Sequence, residues 1–190
     1  HCQSSILQKK RIHQHNGDTS IRYTPEDWLN KMPFLPNIDE STKPIAVNTA
    51  ERFATAGNYR KAIDILLKDS SNPYYSLREY RLANYYNKIG NKNDSAAYWA
   101  KRCIEMKPLC YSPVRVLVNI AGKKGDSQKQ LDLINSYLEK YQLEPLAWED
   151  KIVILQRLKK DQEALETIRK AKEYMPRNSK IKKLEEKLIK

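Results

Sequence analysis

YRLANYYNKIGNKNDSAAYWAKRCIEMKP, residues 80–108, reads as two short amphipathic helices joined by a polar turn. Leu82, Ala83, Tyr86 and Ile89 fall at helical spacing before Gly90-Asn91-Lys92-Asn93-Asp94. Ala96, Ala97, Ala100, Cys103 and Ile104 resume the pattern, and Pro108 ends it. Neither helix can bury its apolar stripe alone, so the hairpin requires neighbours.

Those neighbours recur every 34 residues. Ala62, Ala96, Gln130 and Ala164 form one series, Ile63, Ala97, Leu131 and Leu165 the next, and Leu66, Ala100, Ile134 and Ile168 a third. The leading helix repeats as Ala46, Tyr80, Val114 and Trp148, then Ala50, Asn84, Val118 and Ile152. The turn steps through Gly57, Asn91, Gly125 and Lys159. A beat of this length, unbroken by gaps, predicts an all-α array of helix-turn-helix units. The units are expected at 44–77, 78–111, 112–145 and 146–176. Residues 177–190 should form a capping helix, with Ile181, Leu184, Leu188 and Ile189 on one face and lysines on the other.

The pattern resembles the tetratricopeptide repeat. The fourth unit supplies an aromatic at the first position (Trp148), the small residue (Ala164) and the closing proline (Pro176); the second supplies Tyr80, Ala83, Ala96 and Pro108. The third unit departs, with Gln130 in place of alanine and Gln142 in place of proline. The fourth carries Lys159 where the turn glycine belongs, which predicts a less regular turn. The resemblance covers residues 44–176. It implies the fold, a right-handed superhelix, and a function class, binding of other proteins, without naming a partner.

Composition agrees with an extended helical array. Of the 190 residues 40% are hydrophobic and 31% charged, a balance suited to units that touch only their neighbours. Five glycines and short β-branched runs give sheets little support. The formal charge of +12 favours acidic partners, whether protein, nucleic acid or an anionic surface, although a lysine-rich helical surface is its ordinary explanation. The three cysteines, Cys2, Cys103 and Cys110, have no metal-ligand spacing. Cys103 falls on a packing position and is expected to be a buried, inert thiol.

Residues 1–43 lie outside the period. The beginning at His1, with no initiator Met, is expected of a processed or truncated product, and Cys2-Gln3-Ser4-Ser5 resembles the start of a mature bacterial lipoprotein. In that reading Cys2 carries the lipid anchor and the chain belongs to the cell envelope; an accidental cysteine is the alternative, and His1 stands where a small residue should precede the anchor. Thr24-Pro25-Glu26-Asp27 opens a short helix over residues 24–32, with threonine as cap and proline at the first helical position. Trp28, Phe34 and Leu35 are expected to cover the first repeat.

No catalytic constellation is visible. The histidines are confined to the first fifteen residues, and phosphate loops, metal-ligand clusters and nucleophile motifs are missing from the sequence, so no enzyme, cofactor or metal is expected. The expectation is an adaptor or assembly factor that binds an extended or acidic peptide segment of a partner in the groove. The candidate contacts are Arg78, Arg81, Tyr85 and Lys88 of the second leading helix, with Arg115, Asn119 and Lys123 of the third. Arg81 and Arg115 are 34 apart, as are Tyr85 and Asn119, which sets them side by side on adjacent helices. Guanidinium groups converging with an amide suit a carboxylate. The alternatives are a nucleic-acid-binding helical repeat, or the docking or sensory part of a longer chain.

Overall fold

A computed structural model describes residues 45–69 and 76–188. The extension with its Thr24 helix, Cys2, and Ile189 lie outside the described residues. Those residues form nine helices: α1 (Ile45–Thr55), α2 (Tyr59–Lys68), α3 (Leu77–Ile89), α4 (Asn93–Met106), α5 (Tyr111–Lys123), α6 (Ser127–Leu138), α7 (Pro145–Arg157), α8 (Asp161–Tyr174) and α9 (Ser179–Leu188). Each packs on the next in sequence, and the leading helices also meet: α1 with α3, α3 with α5, α5 with α7. The result is an all-α superhelix of stacked helical hairpins.

The periodic positions hold the stack. Leu66, Ala100, Ile134 and Ile168 are all fully buried, as are Ala62, Ala96 and Ala164. Small side chains at the latter positions let each second helix lie close on its leading helix. The third hairpin has Gln130 there instead, and the leading helix makes the room: a Cβ on Gly122 would stand 2.6 Å from Gln130 Nε2. Buried Gln130 donates to the Val118 carbonyl at 3.0 Å and accepts from Arg157 Nη2 at 2.6 Å, so both ends of its amide are satisfied. The core is not continuous. It divides into clusters centred on the first two hairpins, on the joint between α3–α4 and α5, and on the last two hairpins with α9. A structure in which each unit touches only its neighbours divides in this way.

Each hairpin turns through three residues between its helices. Gly57 (φ 79°) and Gly125 (φ 74°) take the left-handed region at the stepped position. In the second hairpin that role moves one residue earlier, to Gly90 (φ 90°) rather than Asn91. The fourth turn is not irregular: Lys159 itself adopts φ 58° and keeps the same length and shape. Pro145 stands at the first position of α7, behind Glu144, which caps Leu146 N–H at 3.0 Å. The helix α5 starts one residue before Ser112, so Cys110 and not Ser112 precedes it.

At the far end Asn178 Oδ1 accepts from Lys180 N and Ile181 N, capping α9. Ile181 is fully buried, and Leu184 and Leu188 pack against the last core cluster. Cys103 and Cys110 are both buried free thiols. Cys103 Sγ lies 3.4 Å from Ser76 Oγ, and burial pushes its pKa up to about 12, which leaves it protonated and unreactive.

Candidate functional site

The leading helices present a continuous face, and most of its cations already have partners. Arg81 on α3 reaches back to Glu51 on α1, with Nε at 2.8 Å and an Nη at 2.6 Å from the same carboxylate oxygen. Arg115 on α5 reaches forward to Asp150 on α7 through Nε at 2.8 Å and Nη2 at 2.9 Å. Lys123, at the end of α5, donates to both the carbonyl and the side-chain oxygen of Asn87 at 2.7 Å. Every pair of adjacent leading helices is thus joined by at least one side-chain bridge. The electrostatics follow the geometry, since the bond to Asp150 raises the Arg115 pKa further.

The seven residues singled out from the sequence do not converge. Arg78 turns away from the others, pairing with Glu79 at 2.9 Å and donating to the Asp69 carbonyl at the end of α2. Tyr85 lies in the core and not on the face. It is 5% exposed, its ring centroid is 5.9 Å from that of Tyr59, and burial raises its pKa to about 12. The physical reason is the composition of α1, where Ala50 and Ala54 leave space that the Tyr85 ring fills. Lys88 and Asn119 are exposed. Arg81 and Arg115 lie on packed neighbours α3 and α5 but reach in opposite directions, and the bonds described leave Nη1 of each guanidinium uncommitted.

Three features were not legible beforehand. Glu149 points to Lys180 on α9, at 3.6 Å. Val153, one period on from Asn119, is 51% exposed and gives the face an apolar edge. Asp150 was passed over because only an Arg–Asp spacing of 35 residues, one more than the period, hints at the bridge.

No protein-family model matches the chain, and no curated protein does. Solved structures do resemble it. A crystal structure of MamA shares 16% identity over 70% of this chain and 72% of that one, with a TM-score of 0.53. A second, of MamA AMB-1, shares 18% identity over 72% and 74%, with a TM-score of 0.49. The likeness to the first of these, with its TM-score of 0.53, shows the fold. MamA contains tetratricopeptide repeats, and the present chain has the same stacked-hairpin architecture. Among the described residues no group of His, Cys, Asp or Glu is arranged to hold a metal, and no helix is long and apolar enough to cross a membrane.

Proposed function

We propose that the chain is a protein-interaction module, an adaptor or assembly factor whose leading-helix face receives an acidic, extended segment of another protein. The observation that carries this is the pair Arg81 and Arg115, equivalent residues on packed neighbours α3 and α5, each with an Nη1 group that its ion pair does not use. Asn119, one turn beyond Arg115, and Lys88 add donors, and Val153 offers an apolar contact. The internal bridges leave the site pre-organised: Glu51 and Asp150 hold both guanidiniums in place, so a ligand carboxylate need not order them. Arg78, Tyr85 and Lys123 serve this site through packing and bridging, not through contact.

The test is titration of the full chain against a fluorescein-labelled oligoglutamate with a free C-terminal carboxylate. Replacing Arg115 and Asp150 together by alanine removes the guanidinium without leaving an unpaired carboxylate on the face. A weakening of about tenfold is expected, as for loss of one charge-assisted bond. Unchanged affinity in that double variant and in Arg81→Ala/Glu51→Ala would rule the site out.

A further inference from the structure

The basic residues not used on the leading-helix face gather along one edge of the array. The four turns within hairpins stack on that edge. The segments 52–61, 86–95, 120–129 and 154–163 that make it contain eleven lysines and arginines against four acids. The three corresponding segments described on the other edge, 103–112, 137–146 and 171–180, contain five against four. All eleven basic residues are exposed. Two cross-bonds hold the row together, Lys123 to Asn87 and Arg157 to Gln130. Seven have no side-chain hydrogen bond or ion pair among the described residues: Arg52, Arg60, Lys88, Lys92, Lys124, Lys129 and Lys159.

Part of this row has a local explanation. Arg52, Lys88, Lys123 and Arg157 sit in the last turns of the leading helices, where cations complement the helix dipole. Of the rest, Lys61 lies over the Phe53 ring and Lys160 pairs with Glu163 at 2.9 Å, and three lysines stand where the fold favours other residues. Asn58 and Asp126 cap α2 and α6 through bonds to Lys61 N and Lys129 N. At the same place before α4 and α8 stand Lys92 and Lys160, which make no side-chain capping bond and put a cation at a helix N-terminus. Lys159 takes the left-handed backbone that glycine takes at Gly57 and Gly125. Lysines at positions where local stability favours Asn, Ser or Gly, all on one edge, mark a constraint other than folding.

We propose that this edge binds the phosphate backbone of a nucleic acid without reading its sequence. The charges form a row that follows the superhelix, spanning roughly 25–30 Å if adjacent helices lie 8–10 Å apart, a little under one duplex turn. A flat anionic membrane meets such a curved row over only part of its length and gains from apolar insertion. Of the large apolar side chains exposed among the described residues, only Leu158 lies in these segments. An acidic protein segment has paired guanidiniums and the apolar Val153 on the leading-helix face, whereas this edge offers it Leu158 alone among exposed large apolar side chains. The clefts lined by Leu109, Tyr141 and Leu143 and by Trp148, Lys151 and Tyr174 lie away from this edge. No exposed aromatic stands in the row to stack on bases, so contact is with phosphates.

The experiment measures anisotropy of a short fluorescein-labelled DNA duplex of mixed sequence with the full chain, between about 50 and 200 mM salt. With up to seven phosphates neutralised, the slope of log K against log salt is expected to be as steep as about −6. The variant Lys92→Ser/Lys159→Gly/Lys160→Ser removes two of the seven unpaired cations and should bind at least about tenfold more weakly, with a slope shallower by about 2. Its Tm should rise, because two capping serines and a glycine take positions that favour them, so lost binding is not lost folding. The Arg115→Ala/Asp150→Ala variant should bind duplex normally, which separates this edge from the leading-helix face. Undiminished duplex binding by the triple variant would overturn the proposal. So would its absence at low salt, or capture only by phosphatidylserine vesicles or oligoglutamate.

Discussion

The Arg115 guanidinium and the Asp150 carboxylate meet edge to edge across α5 and α7, with Nε to Oδ2 at 2.8 Å and Nη2 to Oδ1 at 2.9 Å. Asp150 has a second obligation, because its Oδ2 also accepts from the hydroxyl of buried Tyr111 at 2.9 Å. Burial and the neighbouring carboxylate together push the Tyr111 pKa well above the usual phenol range, so this hydroxyl is a permanent donor.

The two halves of the bridge should therefore differ in worth. Arg115→Ala removes a half-exposed partner and is expected to cost about 0.5–1 kcal/mol, as for surface pairs. Asp150→Ala also strands the Tyr111 hydroxyl and should cost about 1–3 kcal/mol. Adding Tyr111→Phe to Asp150→Ala should recover most of that difference. Urea unfolding of the four proteins measures it, and equal losses for Arg115→Ala and Asp150→Ala would contradict the shared-acceptor account.

Gly122 gives the second prediction. Alanine is a better helix former than glycine by about 1 kcal/mol, so Gly122→Ala in the middle of a repeat should look harmless. Here the new Cβ would meet Gln130 Nε2 at 2.6 Å, and the amide is held by Val118 and Arg157. Net destabilisation of about 1–3 kcal/mol is expected from overpacking. Gln130→Ala, which restores the alanine of the other three hairpins, should reverse it. A Tm for Gly122→Ala at or above that of the wild type would show that the helices adjust freely.

The 34-residue beat made the fold legible because stacking demands small or apolar side chains at fixed places. Leu66, Ala100, Ile134 and Ile168 could be aligned before any coordinates existed, and all are fully buried. The functional face was far less legible. Periodicity says which residues are equivalent but not how far each side chain reaches. Tyr85 and Asn119 are equivalent positions, yet the tyrosine folds into the space beside Ala50 and Ala54 while the asparagine stays outside. Arg81 and Arg115 are equivalent too, yet one pairs backward with Glu51 and the other forward with Asp150. Those choices depend on single residues of the neighbouring repeat, which no repeat pattern encodes.

Alkaline pH should unfold the protein earlier than acid composition alone suggests. Burial raises Cys103 from 9.0, and Tyr85 from 10.0, to about 12 in each case, and raises Tyr111 and Tyr137 as well. Each group is neutral when protonated and holds its proton more tightly in the fold. The stability it contributes is complete below its unfolded pKa and is lost as pH climbs towards the folded value. In that window each contributes a slope of up to about −1.4 kcal/mol per pH unit. Lys107 and Lys151 work in the opposite direction, since burial lowers their pKa values and they gain stability as pH rises towards 10.5. With four such acids against two such bases, the urea midpoint should fall steadily above about pH 9. A midpoint unchanged to about pH 11 would mean that these side chains are hydrated in the fold.

Ile181 tests whether α9 closes the array or is merely appended to it. Its side chain is fully buried, and its helix is held by the Asn178 cap and by the Lys172–Glu185 pair at 2.8 Å. If α9 covers the apolar end of α7 and α8, Ile181→Ala should cost about 2–4 kcal/mol, the loss expected of a core position. Ile181→Asp should detach the helix and leave the end of the last cluster, around Ile168 and Ala171, in water. In a stacked array that loss spreads inward, so amide exchange should accelerate first in α8, then in α7, and least in α1 and α2. Exchange that rises only within α9 would show the helix to be ornamental. The graded pattern would show that the last hairpin depends on its cap.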